Sequence, residues 1–199
     1  MPYFPMYTNI ENKPCLIIGG GKVAYRKACV LLDFCADVSV VSKSFCDEIK
    51  KLNVNLIFDK FDFSLCDDKE IVVSATDDRK FNQSVYEYCK SKRIPVNVVD
   101  DAKKSTFIFS SYVKEQNLVA SFSSSGNSPV LTQILKQNCN LNPFLGELNE
   151  LLGKCREEIN KKSLSEKDRI TIYKAVYDLA VKENKIPTIE KVEEIINEL

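Results

Sequence analysis

Apolar residues in the first half of the chain form short continuous runs separated by segments with helical spacing. The runs have the length and content of buried strands. Two of the segments between them, residues 23–35 and 79–92, place their apolar residues on one helical face. Strands that alternate with helices predict an α/β fold with a parallel, doubly wound sheet. The predicted strands lie at residues 16–18, 37–41, 55–58, 71–75 and 96–99.

The pattern changes after about residue 105. Residues 106–113 and 117–123 predict two paired strands, and Ser128 and Pro129 predict the cap and the first position of a helix. From Pro143 onward the apolar spacing is helical. We therefore expect three parts: an α/β domain at residues 1–105, a small α+β region at 106–142 and a helical domain at 143–199.

The first predicted strand leads directly into a glycine-rich loop with the pattern G-x-G-x-x-A. Gly19 would allow a tight turn, Gly21 would let a pyrophosphate approach the backbone, and Ala24 is small enough for the helix to pack on the strand. The unpaired N–H groups at the start of the helix would face the phosphates. The loop therefore predicts a dinucleotide-binding site.

Charge and composition exclude several classes of protein. The 28 basic residues equal the 28 acidic ones, which argues against a nucleic-acid partner. No apolar stretch approaches the roughly 20 residues of a membrane span, and the N-terminus lacks the pattern of a signal peptide. We therefore expect a cytoplasmic protein with no membrane partner. The eight cysteines lack zinc or redox spacing, so we expect reduced thiols and no metal site.

The chain contains no histidine, which excludes Ser-His and Cys-His catalysis. A general base must then be a carboxylate, Lys, Tyr, Cys or a terminal amine. Polar residues follow the fourth and fifth predicted strands, at the edge where doubly wound sheets bind ligands. Thr76 and Asp77 follow the fourth strand at this edge, where they could line a bound ligand, but Asp77 or, more readily, Asp78 would also suit as a helix cap. Asp100 follows the fifth strand, where a turn-capping role is the alternative to a catalytic one.

Five segments, in this order along the chain, together resemble the precorrin-2 dehydrogenase/sirohydrochlorin ferrochelatase family, which includes the N-terminal part of siroheme synthase. The resemblance implies NAD-dependent oxidation of precorrin-2 to sirohydrochlorin, and in some members the insertion of ferrous iron to give siroheme. It also implies a homodimer built from a Rossmann domain, a central dimerisation region and a helical domain. The matching segments are residues 19–27, 75–78, 97–100, 106–109 and 123–129.

The resemblance also implies roles for individual residues. Asp100 matches an aspartate implicated in both reactions, and Asn97 and Ser124 fall where the tetrapyrrole substrate is bound. The dinucleotide contacts are implied for Gly19, Gly20, Gly21, Lys22, Val23, Ala24, Lys43, Ser44, Thr76 and Asp77. One departure concerns the second strand. NAD sites often place an acid after it, whereas this chain has Ser42, Lys43 and Ser44, so NADP is not excluded.

Two alternatives stay open at this point. The first is a dehydrogenase that lacks the chelatase step, because a tetrapyrrole supplies its own metal ligands and no ligand cluster is needed in the chain. The second is an NAD-sensing regulatory domain without catalysis, which the glycine loop alone would permit. The physiological metal and the protein that receives the product also stay open.

Overall fold

The computed structural model describes residues 3–58, 61–99, 101–162 and 164–197. Its contacts divide the chain into two compact units, Met1–Phe109 and Ser110–Leu199. The domain boundaries expected at residues 105 and 142 stay predictions, since this division separates the chain at one place only.

The first unit is built on a five-stranded parallel sheet with the order β3-β2-β1-β4-β5. β1 lies between β2 and β4, so Ile17 is flanked by Val40 and Val73. The elements are β1 (Pro14–Ile18), α1 (Lys22–Asp33), β2 (Asp37–Val41), α2 (Asp47–Lys50), β3 (Asn55–Ile57), β4 (Ile71–Ser74), α3 (Arg79–Lys92) and β5 (Val96–Val98), with short 3-10 turns at Phe63–Cys66 and Ala102–Lys104.

Successive side chains of each strand point to opposite sides of this sheet, and both sides are buried because a helix packs on each. Ile17 belongs to the cluster that packs on α1, where Ala24 and Ala28 are fully buried. Leu16 belongs to the opposite cluster, which contains Val85 and Cys89 of α3. The predicted doubly wound α/β fold is therefore confirmed.

Residues 106–109 differ from the prediction, because they do not begin a strand. The N–H of Thr106 donates to the carbonyl oxygen of Val96 at 2.8 Å, and its hydroxyl oxygen accepts from the Val96 N–H at 2.8 Å. The ammonium of Lys27 lies 3.9 Å from the centre of the Phe109 ring. These contacts hold the segment against β5 and α1 within the first unit, and the first strand of the hairpin begins only at Ser111.

In the residues that the structure describes, the second unit combines an antiparallel hairpin with four helices. Its helical core is formed by one large buried cluster that includes Leu148, Ile159, Ile172 and Val192. The predicted helix start is confirmed, because the Ser128 hydroxyl accepts from the N–H of Leu131 at 3.3 Å. The elements are β6 (Ser111–Glu115), β7 (Leu118–Phe122), α4 (Pro129–Asn138), α5 (Pro143–Lys161), α6 (Glu166–Glu183) and α7 (Ile189–Asn197).

The cysteines are free thiols, and Cys15, Cys66, Cys89 and Cys155 are buried. Burial raises the pKa of the Cys15 thiol to about 11, so this thiol stays protonated at neutral pH. Among the helices of the described residues, none is both long enough and apolar enough to cross a bilayer.

Candidate dinucleotide-binding site

The three glycines after β1 have three different structural roles. Gly19 has a φ of +121°, and a Cβ there would overlap the carbonyl oxygen of Ala75 beyond β4. A Cβ on Gly20 would overlap the carbonyl oxygen of Ser44, which follows β2. A Cβ on Gly21 would meet no atom within 4 Å. The first two glycines are therefore required by the packing of the strand ends, whereas Gly21 faces open space.

The start of α1 leaves backbone donors available at this open space. The first helical hydrogen bond runs from the N–H of Tyr25 to the carbonyl oxygen of Gly21 at 3.0 Å. The N–H groups of Lys22, Val23 and Ala24 precede it and have no acceptor within the helix. A helix start with free N–H groups and no side chain above Gly21 fits the pyrophosphate of a dinucleotide.

The loop after β2 packs directly on the glycine loop. The N–H of Cys46 donates to the carbonyl oxygen of Gly20 at 2.8 Å, which fixes the loop in place. Lys43 and Ser44 are exposed and Ser42 is half-buried. No acidic residue lies between the end of β2 and the start of α2. The position that binds ribose hydroxyls in many NAD proteins therefore carries two hydroxyls and one cation.

The polar residues after β4 form a hydrogen-bonded network around Asn82, a buried residue of α3. Its Oδ1 accepts from the hydroxyls of Ser74 at 2.8 Å and Thr76 at 2.6 Å, and its Nδ2 donates to the Thr76 carbonyl oxygen at 2.8 Å. Asp78 caps α3 by accepting from the N–H groups that follow it, whereas Asp77 is exposed and leaves its carboxylate at the sheet edge. The preference for Asp78 as the cap is confirmed.

Asn82 was missed in the sequence analysis, although a signal was present. It lies three residues before Val85 and seven before Cys89, so helical spacing places it on the buried face of α3. A polar residue at such a position must find hydrogen-bond partners. In this structure those partners order the loop that carries Thr76.

The residues around β5 show how the strand end is held. Asn97 is 7% exposed, and its Nδ2 donates to the carbonyl oxygen of Phe107 at 3.0 Å. Asp100, the predicted catalytic residue, lies outside the described residues. Asp101 lies 3.1 Å from the ammonium of Lys104, which holds the pKa of the Asp101 carboxyl below its usual value. The Asp101 carboxylate therefore forms a local ion pair with Lys104.

Ser105 is a second residue that the sequence analysis missed. Its hydroxyl oxygen accepts from the N–H of Val98 at 2.9 Å, and the hydroxyl donates to the carbonyl oxygen of Asp101 at 3.0 Å. The side chain thus links Val98, the last residue of β5, to the backbone of Asp101. No spacing or composition signal distinguishes this serine from the other serines of the chain.

Ser124 belongs to the second unit, in the loop before α4. Its hydroxyl oxygen accepts from the N–H of Ser128 at 2.9 Å, and the loop turns at Ser125 and Gly126, which have φ values of +53° and +84°. A serine hydroxyl that accepts one bond still has a proton to donate. No group of three His, Cys, Asp or Glu side chains among the described residues is arranged to hold a metal ion.

The sheet edge thus brings together the ends of β1, β2 and β4, since Ile18 is in register with both Val41 and Ser74. This fold and its glycine loop define a dinucleotide-binding protein of the Rossmann class. A family model described as putative NAD(P)-binding matches residues 6–111, more than half of the chain. The chain therefore belongs to this putative NAD(P)-binding family.

Individual relatives extend the comparison into the second unit. The siroheme synthase of Pseudoalteromonas translucida (strain TAC 125) is 34% identical over 187 residues, which cover 91% of this chain and 40% of that protein. The siroheme synthase of Ruthia magnifica subsp. Calyptogena magnifica is 35% identical over 175 residues, or 85% of this chain and 37% of that protein. The predicted resemblance is confirmed, and the chain spans about two fifths of the length of these curated relatives.

A solved structure shares the arrangement of the elements. The precorrin-2 dehydrogenase SirC superposes with a TM-score of 0.77 at 18% sequence identity, and the match covers 98% of each chain. At this identity the match concerns the fold, and the predicted fold class is confirmed by it.

Proposed function

We propose that this protein oxidises precorrin-2 to sirohydrochlorin with a nicotinamide dinucleotide, in the formation of siroheme. The observation that carries the proposal is the extent of the similarity to siroheme synthases, which runs over 187 residues and both units. An NAD-sensing domain would need only the first unit. Similarity through the hairpin and the helices favours a protein that also binds a substrate.

The residues of the first unit fit a bound dinucleotide. The N–H groups of Lys22, Val23 and Ala24, with the backbone of Gly20 and Gly21, would hold the pyrophosphate. Lys43 and Ser44 would contact the adenosine ribose, and Thr76 and Asp77 would line the nicotinamide side. We propose NAD as the dinucleotide, and its nicotinamide supplies the hydride acceptor when bound.

Asp100 is proposed as the general base. Conversion of precorrin-2 to sirohydrochlorin removes two hydrogens, one as the hydride and one as a proton, and the Asp100 carboxylate would accept the proton. The preceding residue, Val99, donates its N–H to the carbonyl oxygen of Ser74 at 3.0 Å, so Val99 itself lies at the same sheet edge as the glycine loop. Since the chain has no histidine, a carboxylate is the chemically suitable base there.

Substrate binding is assigned to Asn97 and Ser124. The Ser124 hydroxyl keeps a proton to donate to a tetrapyrrole carboxylate. Asn97 fixes the strand end through its bond to Phe107. We further propose that the protein acts in the cytoplasm, where NAD and reduced thiols are available.

Ferrous iron is proposed as a second substrate, inserted into sirohydrochlorin to give siroheme, because the similar curated proteins are named siroheme synthases.

We also propose a homodimer, because the surface of α4 is apolar. Val130, Leu131, Ile134 and Leu135 of this helix are 44–63% exposed. Apolar side chains clustered on one helix are typical of a surface that a second copy covers.

The test follows NADH absorbance after precorrin-2 is added to the full chain with NAD, and then the siroheme spectrum after Fe²⁺ is added. Asp100→Ala should lower the oxidation rate by about 10²- to 10⁴-fold, the usual contribution of a general base. Asp101→Ala is the matched control, because its carboxylate is already paired with Lys104 and the rate should stay within a few-fold.

Each arm has an outcome that contradicts the proposal. If the wild-type protein binds NAD but never reduces it with precorrin-2, the NAD-sensing alternative is favoured. Full activity of Asp100→Ala would remove Asp100 from the mechanism. NADH formation without siroheme above the uncatalysed rate would identify a dehydrogenase that lacks the chelatase step.

A further inference from the structure

The second unit contains a cavity that the proposed function does not use. It has a volume of about 800 Å³, lies along α5 and α6, and contains none of the residues assigned above. Three cationic side chains line it: Lys154 and Arg156 of α5 and Arg169 of α6. The volume is typical of sites for small organic ligands, which commonly occupy about 300–1,000 Å³.

The three cations of this cavity have no ionic partners among the residues that the structure describes. Other lysines of the same unit do form such pairs, with Lys161 lying 2.6 Å from Glu158 and Lys191 lying 2.6 Å from Glu194. Among the described residues, the three cations of the cavity are therefore not held in ion pairs, although acidic residues are common on these helices.

Arg169 provides an independent observation. Its Nη1 donates to the Oδ1 of Asn160 at 3.3 Å, but its Nε is buried and has no hydrogen-bond partner in the described part of the chain. A buried guanidinium N–H without an acceptor is costly. This atom therefore indicates an acceptor that the described residues do not supply.

The two acids of the cavity do not cancel this charge. Glu150 accepts a hydrogen bond from the Nδ2 of Asn117 at 2.6 Å. Glu166 lies in the first turn of α6, where the helix dipole favours a negative charge. With three cations against two carboxylates, the lining keeps a positive excess.

We propose that this cavity is a binding site for an organic oxyanion, a ligand that carries carboxylate or phosphate groups. Guanidinium groups bind such oxygens through pairs of parallel hydrogen bonds, and the two arginines belong to neighbouring helices that face the same space. The hydroxyl of Tyr173 and the side chain of Ile170 add a polar contact and an apolar wall. The site shares no residue with the glycine loop or with the proposed substrate-binding residues, and it adds a second binding function to the second unit.

Calorimetric titration of the full chain with citrate and, separately, with inorganic pyrophosphate tests the proposal. We expect saturable binding of at least one of them at low salt. Arg156→Gln and Arg169→Gln should each weaken it about tenfold, the effect of losing one charged hydrogen bond. Lys174→Gln is the matched control, since Lys174 is exposed on α6 outside the cavity and binding should not change.

The arms distinguish the two kinds of ligand. Citrate binding that depends on the arginines identifies a carboxylate site, and pyrophosphate binding with the same dependence identifies a phosphate site. Pyrophosphate binding that is lost in Gly21→Ala but kept in both arginine variants belongs to the glycine loop and overturns the proposal, as does the absence of binding of either anion. Arg156 is exposed, so its variant stays informative even if Arg169→Gln fails to fold.

Discussion

Replacement of Gly20 and Gly21 by alanine, one at a time, separates packing from cofactor binding in the glycine loop. In Gly20→Ala the new Cβ overlaps the carbonyl oxygen of Ser44 and lies 2.9 Å from the Oγ of Ser42. The loop after β2 cannot retreat freely, because the Cys46 N–H is bonded to Gly20 itself at 2.8 Å. Overpacking of this kind costs about 3 kcal/mol. That cost corresponds to a fall in Tm of about 6–12 °C for a chain of this length.

Gly21→Ala should behave in the opposite way. Its Cβ meets no atom within 4 Å, and its φ of −89° is open to alanine. We expect a stability loss of about 1 kcal/mol or less, the scale of a changed N-cap residue. The added methyl group occupies the space assigned to the pyrophosphate, so binding of NAD should weaken by about tenfold or more, since approach of the phosphates to this backbone requires glycine.

The assay is thermal unfolding followed by circular dichroism, together with NAD titration of each folded variant by calorimetry. A Tm of Gly20→Ala equal to that of the wild type would refute the packing argument for the β2 loop. If Gly21→Ala binds NAD as tightly as the wild type, the dinucleotide does not lie over the start of α1 and the site assignment is wrong.

Three further results are expected. Asn82→Ala should lose about 3 kcal/mol in urea unfolding, because three hydrogen bonds to Ser74 and Thr76 disappear, and an unchanged midpoint would contradict the network. The hydrogen bond to Asp67 raises the pKa of Tyr88 from 10.0 to about 12, so its stabilisation is complete below pH 10 and is lost as the pH rises to about 12. Because the chain has eight tyrosines, the absorbance titration of Tyr88→Phe is subtracted from that of the wild type, and a midpoint near 10 in the difference would refute this. Ser42→Asp should weaken NADP binding more than NAD binding, and an unchanged ratio of the two Kd values would count against a ribose contact at this loop.

The elements whose first and last residues were both predicted correctly are those with strong local signals at both ends. β2 is bounded by turns and has buried residues on both faces, and α3 lies between the Asp78 cap and Arg93, whose φ is +59°. Residues 106–110 carry an apolar, aromatic-rich pattern. This pattern is as typical of a β-strand as of an irregular segment packed on a core. Their partners are Val96, at the start of β5, and Lys27 of α1 rather than the other strand of the hairpin. Periodicity reports which side chains are buried but not against what, so this error could not be avoided from the pattern.

The two candidate sites differ in how far a sequence can predict them, and the reason is the distance over which each is assembled. The free N–H groups at the start of α1 follow from consecutive residues, so G-x-G-x-x-A was sufficient to place them. The need for glycine at position 20 depends on the carbonyl oxygen of Ser44. This residue follows β2, so α1 and β2 separate it from the glycine loop along the chain. The cavity between α5 and α6 depends on tertiary packing alone. Helical spacing could not show that Arg156 and Arg169 line one space, or that the Nε of Arg169 lacks an acceptor among the described residues. Sites formed by helix packing are therefore identified from unpaired polar atoms in the structure, whereas sites at strand-to-helix turns are identified from residue patterns.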